Sequence, residues 1–127
     1  MTDLLDTDIL IDLQWGHPAA EAWFAALAEP PTVRGLAVME MIQGARDGRE
    51  LREGLAVVAP LPKVWPTDAE NETGLGYLTA YRLSHGLGLV DALIAATAVG
   101  RSLRLCTFNV KHYRPIPGLV TVQPYTR

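Results

Sequence analysis

One cysteine in 127 residues leaves Cys106 without an internal disulfide partner, which excludes the disulfide-stapled secreted scaffolds and the paired-thiol zinc sites. A chain of this length needs neither, since one such domain buries about two thirds of the surface its unfolded chain exposes. The longest apolar run, LIAATAV at 93–99, is far short of the roughly 20 residues of a membrane helix, so a span is excluded. No basic segment followed by an apolar stretch and a small-residue cleavage site opens the chain, and the expected compartment is the cytoplasm. There is no G-x-x-x-x-G-K-S/T loop, and GLGL at 86–89 lacks the third glycine of a dinucleotide fingerprint. No serine stands in a nucleophile elbow. His17, His85 and His112 show no paired metal-ligand spacing.

Acid is also missing from the last quarter of the chain. All 14 Asp and Glu lie at or before Asp91: residues 1–91 hold six Lys/Arg against those 14, or −8, and residues 92–127 hold five and no acid, or +5, within a net charge of −3. The net charge argues against a general nucleic-acid binder, while the asymmetry leaves one basic end. At 49% hydrophobic and 20% charged residues, the remainder is ordinary globular composition.

The periodicities alternate between strand and helix. TDLLD at 2–6 reads as a buried strand running into a helix capped near Thr7 or Asp8. A second helix starts at Pro18, with Ala19, Trp23, Ala26 and Leu27 on one face, and Pro30-Pro31 ends it. TVRG leads into a helix across LAVMEMIQGA, and a further helix follows Gly48. Thr67 and Glu70 form a capping box for a long helix reaching His85, and VDALIAATAVG is another. LRLCTF and LVTV are the closing strands. The expectation is one domain over residues 1–127, a three-layer α/β/α fold with a central parallel sheet. Ligands in such sheets bind beyond the carboxyl ends of the strands, where Asp6, Asp8 and Asn109 fall.

Most acids have ordinary explanations. Asp12, four residues after Asp8, belongs to exposed helix surface, and Asp8 is a cap candidate. Asp6 ends a buried strand, where an unpaired carboxylate costs several kcal/mol. Glu40 lies between Met39 and Met41, and a polar helix face explains it as well as a site does. Asp91 has Ile94, Ala95 and Ala98 as helical neighbours and no polar stripe to join, although a first-turn acid is also favoured by the helix dipole. Were Asp6, Glu40 and Asp91 to meet, each pair about 5 Å apart would repel by roughly 3 kcal/mol at an effective dielectric near 20. The cluster would then take up protons or a hard cation, Mg²⁺ or Mn²⁺.

With these residues in view, the chain resembles the PIN-domain family and its VapC-type toxins. LLDTDILIDL resembles the family's opening strand and loop, AVMEMIQGA its glutamate helix, GLVDALIAATA its third acidic motif and LRLCTFNVKHYRPIPGL its closing block. The resemblance implies a metal-dependent endoribonuclease restrained by a cognate antitoxin, acting as a homodimer, with Asp6, Glu40 and Asp91 as metal ligands. It implies Asn109 at the fourth catalytic position, often an aspartate, and one negative charge fewer there. Asp8 stands where Asn or Ser is more common, and Thr107 is placed to hydrogen-bond an acid or the phosphate. The implied reaction uses Mg²⁺ or Mn²⁺ to activate water against an RNA phosphodiester, leaving 5′-phosphate and 3′-hydroxyl ends. Arg101, Arg104, Lys111 and Arg114 are the candidate RNA-backbone guide, and Tyr113 a stacking surface.

Two other classes compete. The D-T-D-I-L run approaches the opening motif of haloacid-dehalogenase-like phosphatases, which need a later acidic pair that is absent after Asp91. A catalytically silent module with the same fold would bind a partner without metal-dependent cleavage.

Overall fold

Leu4 and Leu5 are neighbours on β1 (Asp3–Leu5), so their side chains leave opposite faces of the sheet, yet both are fully buried. A strand buried on both sides requires helices on both sides, the usual setting of a parallel sheet. The computed structural model describes residues 1–127. Besides β1 it contains β2 (Thr32–Arg34), β3 (Lys63–Val64), β4 (Arg104–Cys106) and β5 (Thr121–Val122), all parallel and in the order β3-β2-β1-β4-β5.

On one face Leu5, Val33 and Cys106 pack with Ile9 and Leu10 of α1 (Thr7–Gln14), Val38 and Met41 of α3 (Gly35–Gln43) and Val58 of α4 (Gly48–Val58). Trp23 and Phe24 of α2 (Pro18–Ala25) join the edge of this cluster. On the other face Leu4 and Leu105 pack with Ile94, Ala95 and Ala98 of α6 (Leu89–Gly100) and Tyr113 of α7 (Val110–Tyr113). Outside them, α5 (Asp68–His85) lies close against α6 at Gly74, where a Cβ would stand 3.0 Å from Leu93 Cδ2. This is the three-layer parallel α/β/α arrangement expected from the alternation of elements.

Helix ends show which local signals held. Thr67 and Glu70 exchange the two hydrogen bonds of a capping box, at 3.1 and 3.2 Å. The cap of α1, however, is Asp6 and neither Thr7 nor Asp8. Helix α2 stops at Ala25, ahead of Pro30-Pro31, and its buried face runs through Ala20 with Trp23 and Phe24, displaced from the expected Ala19 face. Its last turn tightens, with the Ala26 and Leu27 N–H groups donating to the carbonyls of Trp23 and Phe24. Proline also disfavours the α conformation for the residue before it, so the chain leaves the helix early.

Sheet order reverses at β1: β2 and β3 extend to one side, β4 and β5 to the other. The carboxyl ends of β1 and β4 therefore flank the switch point where open α/β sheets place ligands. Leu5, fully buried directly beneath this edge, tests the packing below it: Leu5→Ala is expected to lower unfolding stability by about 2–5 kcal/mol in denaturant titration.

Candidate active site at the carboxyl edge of the sheet

In-register pairing sets the row of side chains at this edge. Leu5 pairs with Val33 and with Cys106, so the next residues, Asp6, Arg34 and Thr107, fall side by side. Leu5, Val33 and Cys106 point toward α1 and α3, and by alternation the following row points toward α6 and α7. All three residues of the row are buried.

Asp6 uses both carboxylate oxygens. Oδ1 accepts from the Thr7 N–H at 2.8 Å; Oδ2 accepts from Thr107 Oγ1 at 2.8 Å and from the Tyr113 hydroxyl at 3.2 Å. The same hydroxyl reaches Asp91 Oδ1 at 3.1 Å, so Tyr113 stands between two carboxylates far apart in sequence. Burial, then the charges of Asp6 and Asp91, push its phenol far above the usual range, and it remains a donor. Tyr113 is therefore a buried bridge and not a stacking surface.

Asp91 sits in the uncapped first turn of α6, where its charge complements the helix N-terminus. Its Oδ2 lies 3.6 Å from His112 Nδ1. Glu40 is exposed on α3, and its Oε1 accepts from Thr7 Oγ1 at 3.2 Å. The three acids are thus joined around one edge by the Tyr113 hydroxyl and by Thr7, which donates its N–H to Asp6 and its hydroxyl to Glu40. They do not form a set of three ligand groups closing on a single point. Asn109 is exposed beside them, and its N–H donates to Thr107 Oγ1 at 3.0 Å, which turns the Thr107 hydroxyl toward Asp6.

The basic residues divide. Lys111 and Arg114 are exposed and line a cleft of about 320 Å³ with Phe108, Asn109, His112 and Gln123. Arg104 pairs with Asp3 at 2.7 Å, and Arg101 with Glu70 at 3.1 Å and the Trp65 carbonyl at 2.8 Å. Arg104 opens β4, whereas the site lies past its end; Arg101 caps the far end of α6 from Asp91, about 15 Å away at 1.5 Å per residue. Both are ion-paired on the opposite edge, so of the four expected guide residues only Lys111 and Arg114 lie beside the acids. Asp12 is corrected too: it clasps the C-terminal segment by accepting from Tyr125 at 2.7 Å and Arg127 at 2.9 Å.

Arg34 went unremarked in the sequence. It is 0% exposed, and none of its guanidinium nitrogens has a hydrogen-bond partner. Burial makes it a weaker base, opposed by the carboxylate charges of Glu40, Asp6 and Asp91. A lone cation in the apolar run TVRGLAV was the available signal.

Asp8 is held differently from the trio. Its Oδ2 accepts from the Phe108 N–H at 2.9 Å, its buried Oδ1 has no partner, and burial, with Asp6 next, raises its pKa from 3.8 to about 6. Between those values the folded chain binds the proton more tightly than the unfolded chain, so stability falls as pH rises through the interval. Asp8→Asn is expected to stabilise the protein by on the order of 1–3 kcal/mol at pH 8. The gain should shrink to nothing below pH about 4 in urea titrations across pH.

Comparison with known proteins places this geometry. The model of the PIN domain matches residues 4–115. Ribonuclease VapC19 of Mycobacterium tuberculosis is 36% identical over 122 residues, covering 91% of this chain and 95% of the relative. Ribonuclease VapC10 of the same organism is 34% identical over 113 residues, covering 87% and 84%. A solved chain from a toxin-antitoxin complex of Klebsiella pneumoniae superposes with a TM-score of 0.80 at 29% identity, covering 99% of this chain and all of the other. By family match and by relatives spanning nearly its whole length, the chain belongs to the PIN-domain family, alongside its VapC-type members.

Proposed function

We propose that this protein is a metal-dependent endoribonuclease, the toxin of a toxin-antitoxin pair, which hydrolyses RNA phosphodiester bonds at the Asp6–Glu40–Asp91 edge. The observation that carries the reading is the Tyr113 bridge, which holds Asp6 and Asp91 on either side of one hydroxyl at the sheet's switch point. Two relatives that cover most of the chain are named ribonucleases, and a solved neighbour comes from a toxin-antitoxin complex.

The donor set fits a hard divalent cation in kind, because every side chain offered is an oxygen donor and three are carboxylates. Asp6, Asp91 and Glu40 would hold Mg²⁺ or Mn²⁺, and a bound ion supplies a polarised phosphate and a more acidic water. The chain's own groups do the rest. Thr7, Thr107 and Tyr113 fix the direction of the Asp6 carboxylate by donating to it. Glu40, exposed and tethered through one oxygen, has the other available to orient water or take its proton. Lys111 and Arg114, in the cleft that His112 joins to Asp91, bind the RNA backbone. A cognate antitoxin covering the acids, and a second copy of the chain, are the expected partners.

Cleavage of a mixed pool of structured RNAs by antitoxin-free protein should require Mg²⁺ or Mn²⁺, stop with chelator, and fall at least about 100-fold in Asp91→Asn. Inertness of wild type together with absent Mn²⁺ binding would instead favour a silent binding module. Alanine at both Lys111 and Arg114 should weaken RNA binding and flatten the log–log salt dependence by about 1–1.5. Arg104→Ala should leave that slope unchanged.

A further inference from the structure

The other paired arginines of this chain show what a structural arginine looks like here. Arg104 reaches Asp3 at 2.7 Å, Arg46 reaches Glu50 at 2.7 Å and Arg101 reaches Glu70 at 3.1 Å. Arg34 is buried more deeply than any of them and makes no such bond. Leaving a guanidinium out of water without a hydrogen-bonded partner is costly, so a compensating field must act on it. Its place in the strand register supplies one: it stands beside Asp6 in the row that faces α6, with Asp91 in that helix's first turn and Glu40 on the helix that follows Arg34 directly. The charged groups that act on it are Glu40, Asp6 and Asp91, the acids that build the site.

With zero exposure, Arg34 is sealed from solvent, and a role as a direct ligand of the RNA phosphate is set aside. Its effect is exerted through the carboxylates. Asp6, Glu40 and Asp91 bring three negative charges to this edge and Asn109 none, and the buried guanidinium beside them offsets one of the charges that a divalent ion would meet.

We propose that Arg34 is a positioning residue that serves as the built-in second cation of the site, so that the carboxylates take up one divalent ion and not two. This rests on the nuclease reading above, since it presumes that the acids bind a metal. A metal-free chain is also held together by the same charge, because Arg34 offsets repulsion that Tyr113, with one proton for two carboxylates, cannot remove alone.

Calorimetric titration with Mn²⁺ alone tests it, with no RNA present. Wild type and Arg34→Lys should each bind one ion per chain. Arg34→Gln and Arg34→Met should bind a second ion, or bind the first at least about 10-fold more tightly. Removing one charge from a buried set is destabilising, so two charge-free variants are titrated, each after circular dichroism shows it folded, and Arg34→Lys controls for the altered volume. Two ions on wild type, or Mn²⁺ binding by folded Arg34→Met identical to wild type, overturns the role of Arg34 and leaves the nuclease reading standing. No Mn²⁺ binding by wild type overturns both.

Discussion

Asp6 Oδ2 is the atom on which the architecture and the site both depend. By accepting from Thr107 and Tyr113 it joins the end of β1 to the end of β4 and to α7, while Oδ1 caps α1. One carboxylate thereby resolves three local problems: a free helix N-terminus, the continuation of two adjacent strands, and a buried phenol that needs an acceptor. A buried carboxylate is tolerable in such a place because every lone pair in use is matched by a donor.

The layered parallel fold was legible because Leu4-Leu5, Leu105-Cys106 and the intervening helical periods state their burial directly. Asp91 was legible for the opposite reason, as an acid with only apolar neighbours on its helix. What the sequence hid was direction. Arg101 and Arg104 belong to the same basic segment as Lys111 and Arg114, yet β4 separates them, and only the three-dimensional course of the strand shows that the first two lie at the wrong edge. Tyr113 looked like a surface aromatic because the partners that bury it lie 107 and 22 residues away. Arg34 was missed because a charge at the end of a short strand reads as the strand's exit to solvent, and here β2 ends inside the protein.

Charge placement separates two kinds of acid at this edge. Asp6 has a donor for each oxygen, whereas Asp8, two residues on, has one buried oxygen with no partner and holds its proton to about pH 6. The contrast shows that closeness to the edge does not by itself determine how a carboxylate is held. Hydrogen-bond supply does.

The bridge between Asp6 and Asp91 has a consequence in time. The three acids occupy positions 6, 40 and 91, but the groups that lock Asp6, Thr107 and Tyr113, come 101 and 107 residues after it. Contacts of such sequence separation form late, and a chain made from its N-terminus folds as it emerges. A nascent polypeptide of 91 to 112 residues therefore carries all three acids and lacks the Tyr113 clamp that joins Asp6 to Asp91. If the finished protein cuts RNA, the ribosome that makes it is working beside a product that stays disarmed until synthesis is nearly done.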